Sequence, residues 1–118
     1  MNRFEDLEVW KRSARLCSDL YKEFSQLKDF GFRDQITRAG LSIPSNIAEG
    51  FERGSEKEKA SFLNYAKGSA GEVRAQIYIG VDIGYIKKEI GKKWLQEVII
   101  ISKMLQSLLN TIKKSMNS

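Results

Sequence analysis

Histidine is absent from this chain, and cysteine and proline occur once each. The missing imidazole removes most site chemistry. A di-iron bundle needs Glu-x-x-His on two of its helices. A serine nucleophile needs a histidine base, and a zinc site needs clustered cysteine and histidine. A lone Cys17 cannot close an internal disulfide, which favours a reducing compartment. Its place on an apolar helical stripe marks it as a buried, inert thiol. No apolar run approaches the length of a membrane span, and the charged N-terminus lacks a signal-peptide core. Gly-x-x-x-x-Gly-Lys-Ser/Thr is also missing, so no phosphate loop is expected. The expectation is a cytoplasmic, non-enzymatic protein with no cofactor, no metal, no membrane and no small-molecule substrate.

What is present has helical period throughout. The 118 residues form one domain, 1–118, large enough to bury a core unaided. A first helix is expected over about Glu5–Gln26, with Leu7, Trp10, Ala14, Cys17, Tyr21 and Phe24 facing inward. A second runs from about Phe32 to Arg53 and carries Ile36, Ala39, Ile43, Ile47 and Gly50 inward. Pro44 lies inside it, deleting one backbone hydrogen bond against the carbonyl of Gly40, so a bent helix is expected. Gly54 ends it, and Ser55 with Glu58 forms a capping box for a third helix reaching about Ile83. Gly68, Gly71, Gly80 and Gly84 weaken that helix by about 0.5–1 kcal/mol each, which predicts close approach by a neighbour. A fourth helix, about Lys88–Lys114, turns Trp94, Val98, Ile101, Leu105, Leu108 and Ile112 inward. Four amphipathic helices with short connections give an all-α, up-down-up-down antiparallel four-helix bundle.

Three surface features remain. Val9, Leu16, Leu20 and Leu27 form a second apolar stripe on the first helix, and Leu95, Ile99 and Ile100 lie off the main stripe of the fourth. Val9, Leu16, Leu20, Leu95, Ile99 and Ile100 therefore form a candidate oligomer interface, the alternative being a wide core. The whole +5 net charge falls in residues 86–118, where seven lysines face Glu89 and Glu97. Lys88, Lys92, Lys103, Lys113 and Lys114 occupy an arc of roughly 100° on the fourth helix. They could follow a phosphate backbone or merely keep a face solvated. No arginine or interleaved aromatic accompanies them, so specific base readout is not expected. The third feature is a polar cluster: Arg38, Ser42, Ser45, Asn46 and Glu49 on the second helix, and Ser69, Glu72 and Gln76 on the third. It is either a network fixing helix register or a pair of carboxylates, Glu49 and Glu72, for metal-assisted phosphodiester cleavage.

Ser42-Ile43-Pro44-Ser45-Asn46-Ile47-Ala48-Glu49-Gly50 resembles the signature of the four-helix-bundle proteins encoded in intervening sequences of bacterial large-subunit ribosomal RNA genes. Phe4-x-x-Leu7-x-Val9-Trp10, Phe62-Leu63, Gly68-Ser69, Glu72 and Gly84-Tyr85-Ile86 agree with it. The similarity runs from about Phe4 to Leu109, with Gly40 standing where a second alanine is usual. The resemblance implies a left-handed bundle, a homopentameric ring and a link to RNA. It also implies kinship with the accessory subunit of a retroelement reverse transcriptase. The combined expectation is a homo-oligomer that binds RNA or an RNA-associated partner through a basic face. The alternatives are a scaffold without nucleic acid and a carboxylate-dependent nuclease.

Overall fold

The computed structural model describes residues 3–117. A 3₁₀ turn, Phe4–Asp6, leads into α1, Glu8–Glu23; α2 spans Phe30–Arg53, α3 Glu56–Asp82 and α4 Lys88–Asn117. α1 is shorter than its periodicity predicts, because Leu7 is extended and Phe4 folds back edge-to-face on Trp10 with ring centroids 5.2 Å apart. α2 starts earlier than expected because Asp29 caps it, its carboxylate accepting from the Phe32 backbone N–H at 3.1 Å. The Ser55 hydroxyl accepts from the Glu58 N–H at 3.1 Å and donates to the Glu58 carboxylate at 3.0 Å. This differs from a standard capping box, where the glutamate would take the serine backbone N–H. Gly54 and Gly84, at φ 89° and 83°, supply the left-handed residues that end α2 and close the α3–α4 turn.

Cross-helix contacts fix the topology. The Ser69 hydroxyl donates to the Ser42 hydroxyl, and Gly50 faces Phe62, so α2 and α3 are antiparallel. Val81 lies over Gly91, and Lys67 reaches Gln106, so α3 and α4 are antiparallel. Leu20 meets Gly40, and Arg12 meets Glu97, which places α1 antiparallel to both α2 and α4. The order is up-down-up-down. Ile36, Ile43, Ile47, Leu63, Val73, Ile77, Val98, Ile101 and Leu105 fill the axis with no measurable exposure. At one end Trp94, Phe24, Phe32 and Tyr85 meet edge-to-face in series, with centroids 5.2–5.9 Å apart. The Tyr85 hydroxyl then donates to Asp29 at 2.8 Å, tying the α1–α2 and α3–α4 connections together.

Two expectations are corrected by this packing. The two stripes on α1 share the core: Val9, Leu16 and Leu20 are buried beside Cys17 and Phe24 of the expected inward stripe, and so cannot form an interface between copies. Trp10 and Ala14, expected inside, are half-buried along the groove between α1 and α2, and Tyr21 is 47% exposed. The glycines of α3 also divide. Gly80 accommodates Ile86, whereas Gly68 and Gly71 have open space where a Cβ would stand. Close approach by Ile86 of the α3–α4 turn and by Phe32 of α2 accounts for Gly80, and helix packing for Gly40, Gly50 and Gly91, but neither accounts for Gly68 or Gly71. The helix continues unbroken across Pro44, which is buried. Gly40 serves the entry of Leu20, whose Cδ1 would stand 2.6 Å from an added Cβ.

Candidate nucleic-acid interface

Lys88, Lys92, Lys103, Lys113 and Lys114 are all exposed on α4. From Lys88 to Lys114 the helix rises about 39 Å at 1.5 Å per residue, most of the 49 Å length of the molecule. Lys92, Lys103, Gln106, Asn110 and Lys113 recur at helical spacing and share one flank. Gln106 on that flank is held by the Lys67 ammonium of α3 and donates to Asn110 at 2.9 Å. The flank therefore borders α3.

α3 adds residues to this face that periodicity within α4 could not reveal. Lys67, Arg74, Tyr78 and Val81 share one side at spacings of seven, four and three. Lys67 and Val81, at the two ends of that row, both touch α4. Arg74 and Tyr78 between them lie along the same seam; Arg74 is exposed and Tyr78 is 52% exposed. The lysine face is thus wider than α4 and does contain an arginine and an aromatic. The spacing 67–74–78 was visible in the sequence; its adjacency to α4 was not, because it depends on helix register.

The other flank of α4 is electrically different. Between α1 and α4 lies a cleft of about 520 Å³ around Trp94. Four acidic and four basic side chains line it: Glu8, Asp19, Glu23, Glu97, Arg12, Arg15, Lys22 and Lys93. Arg12 bridges Glu97 at 3.2 Å and Glu8 at 3.6 Å. The excess charge therefore faces the α3 side and does not spread around the helix.

The polar cluster comes together in part. The Asn46 amide donates to the Ser42 carbonyl at 2.8 Å and to its hydroxyl at 2.9 Å, and Ser69 joins them at 3.0 Å. Gln76 is half-buried on the same seam, with its Oε1 buried and unpartnered. Arg38, Ser45, Glu49 and Glu72 do not join it: Arg38, Ser45 and Glu72 are exposed, and the Glu49 side chain is 48% exposed. Glu49 pairs with Arg53 at 2.9 Å, not with α3. The antiparallel register puts Glu49 level with Phe62, about 15 Å along the axis from Glu72. The pairing of Glu49 with Glu72 as catalytic carboxylates is contradicted by that offset, and of the cluster's hydrogen bonds the one that crosses between the helices runs from Ser69 to Ser42.

The interface residues expected on α4 also separate. Leu95 and Ile99 are half-buried and only Ile100 is exposed, at 39%. Ile99 and Ile100 point about 100° apart and form no single patch. An apolar groove of about 380 Å³ opens instead between α1 and α2, lined by Phe4, Trp10, Ala14, Leu41, Pro44 and Ala48 among others. No helix among the described residues is long and apolar enough to cross a membrane. No group of three metal-ligating side chains occurs among them.

The family described as 23S rRNA-intervening sequence protein matches residues 5–107 of the chain. Among solved structures, a protein of unknown function from the S23 ribosomal protein family of Bacteroides thetaiotaomicron superposes with a TM-score of 0.80 at 27% identity. The match covers 86% of this chain and 97% of that one. No curated protein matches the chain.

Proposed function

The chain belongs to the 23S rRNA-intervening sequence protein family, and from that premise we propose that it is a cytoplasmic, non-enzymatic protein that binds RNA, or a protein carrying RNA, along the α3–α4 seam. The observation that carries this reading is the one-sided lysine row of α4, joined by Lys67 and Arg74, with the balanced α1–α4 cleft on the opposite flank. Lysines on a rigid helix present point charges to phosphates and give affinity without sequence information. Photo-crosslinking to a mixed RNA pool, followed by peptide mapping, tests it. Cross-linked peptides should come from 67–78 and 88–114. Cross-links confined to α1 and α2 would place the RNA elsewhere.

Self-association belongs to the same proposal, on a surface different from the one periodicity indicated. The α1–α2 groove is open and mostly apolar, and Leu41 beside it is 46% exposed. An assembly covering it, such as a ring of five, would repeat the lysine row and raise affinity through avidity. The kinship with retroelement accessory subunits that the sequence resemblance implies makes a reverse transcriptase the protein partner to test against the same basic face.

A further inference from the structure

Resting on the RNA reading above, we propose that the ligand of the α3–α4 seam is double-helical RNA, held across a groove by its phosphates and 2′-hydroxyls. The geometry of the cations points there. Lys88, Lys92, Lys103 and Lys113 run along α4, and Lys67 and Arg74 run along α3. Lys67 itself reaches Gln106 on α4, so the cations of the two helices form one broad face and not a single file. A cationic face two helices wide can meet both phosphate strands of a double helix; a single strand supplies one. The rows are also stiff. α4 is one uninterrupted helix from Lys88 to Asn117, and a straight row of charge suits a straight duplex.

The residues between the cations favour the same ligand. Single-strand binders place aromatic side chains where successive bases stack. This seam offers one, Tyr78; the positions interleaved along α4 are Ile99, Gln106 and Asn110. Gln106 and Asn110 are oriented by the Lys67–Gln106–Asn110 hydrogen-bond chain. Amides beside a phosphate contact suit the 2′-hydroxyls that double-stranded RNA displays in its wide, shallow minor groove. Acidic neighbours stand at the two ends of the seam, Asp82 and Glu89 at one and Glu56 at the other, and leave its middle cationic. Recognition would therefore be of shape, with little preference for sequence.

Fluorescence anisotropy with the full chain tests this. The probes are an RNA duplex of about 20 base pairs, longer than the roughly 16 that a double-stranded-RNA-binding domain spans, each of its separated strands made non-pairing, and the DNA duplex of the same sequence. The duplex RNA should bind about tenfold or more tighter than either strand, because each phosphate contact releases more counterion from a double helix. Tyr78→Ala should leave duplex affinity within about twofold, whereas Lys88→Gln, Lys92→Gln and Lys103→Gln together should abolish most of it. Equal or tighter binding of a single strand, or a several-fold loss with Tyr78→Ala, would overturn the duplex assignment while leaving RNA binding in place. Equal binding of the DNA duplex would overturn the 2′-hydroxyl contacts. Failure to bind any probe at low salt would overturn the RNA reading itself.

Discussion

Ser42 receives a hydrogen bond from Asn46 on its own helix and another from Ser69 across the seam, whereas Glu49, two turns further on, reaches the exposed guanidinium of Arg53. Truncation should follow this difference. Asn46→Ala leaves half-buried acceptors with one donor fewer and should cost about 1–2 kcal/mol in urea unfolding. Glu49→Ala should stay within about 0.5 kcal/mol, as exposed i,i+4 pairs do. The seven-residue spacing of Ser42 and Glu49 was legible in the sequence as one polar side of α2. What separates them is exposure, set by where α3 crosses, and periodicity within α2 carries no information about that. Asp29 provides a pH test. The Phe32 backbone N–H and the Tyr85 hydroxyl both donate to it and hold its carboxyl below the ordinary aspartate range. Stabilisation from a depressed carboxyl is present above the unfolded pKa of about 3.9 and is lost as pH falls through the lower folded value. Asp29→Ala should therefore melt earlier than the wild type at pH 7. The two melting temperatures should converge below about pH 3, and a gap that persists there would mean that packing, not ionisation, sets the effect.

Helix α3 carries its glycines for two reasons, and substitution separates them. Gly68 and Gly71 have helical backbone and open space, so Gly68→Ala and Gly71→Ala should each stabilise the protein by about 0.5–1 kcal/mol. Gly40→Ala on α2 should destabilise, because its Cβ would meet the fully buried Leu20. Thermal denaturation of the three variants checks both signs. The existence, order and approximate limits of all four helices were legible from apolar period, the Ser55–Glu58 box and Gly54. The face of α1 was legible only in part, since Cys17 and Phe24 are buried as expected and Tyr21 is exposed. Two apolar stripes of similar strength ran along that helix, and the choice between Leu16–Leu20 and Trp10–Tyr21 rests on Leu20 entering the notch at Gly40, a contact between helices.

At the scale of the whole molecule the four seams differ in chemistry: apolar at α1–α2, hydrogen-bonded at α2–α3, cationic at α3–α4 and charge-balanced at α1–α4. The charge excess of residues 86–118 was readable by counting. Its confinement to one seam, and its extension onto Lys67 and Arg74, required the antiparallel register of α3 and α4. The apolar seam predicts that Leu41→Lys lowers the sedimentation coefficient at micromolar protein without loss of helical circular dichroism. A wild type that sediments as a monomer would contradict self-association. The cationic seam is the central claim, and the salt dependence of RNA affinity tests it most directly. Log affinity should fall linearly with log salt for the wild type. Replacing Lys88, Lys92 and Lys103 with glutamine should make that slope shallower by about three units, one for each phosphate no longer neutralised. An unchanged slope in the triple variant would contradict the assignment of RNA to the α3–α4 face.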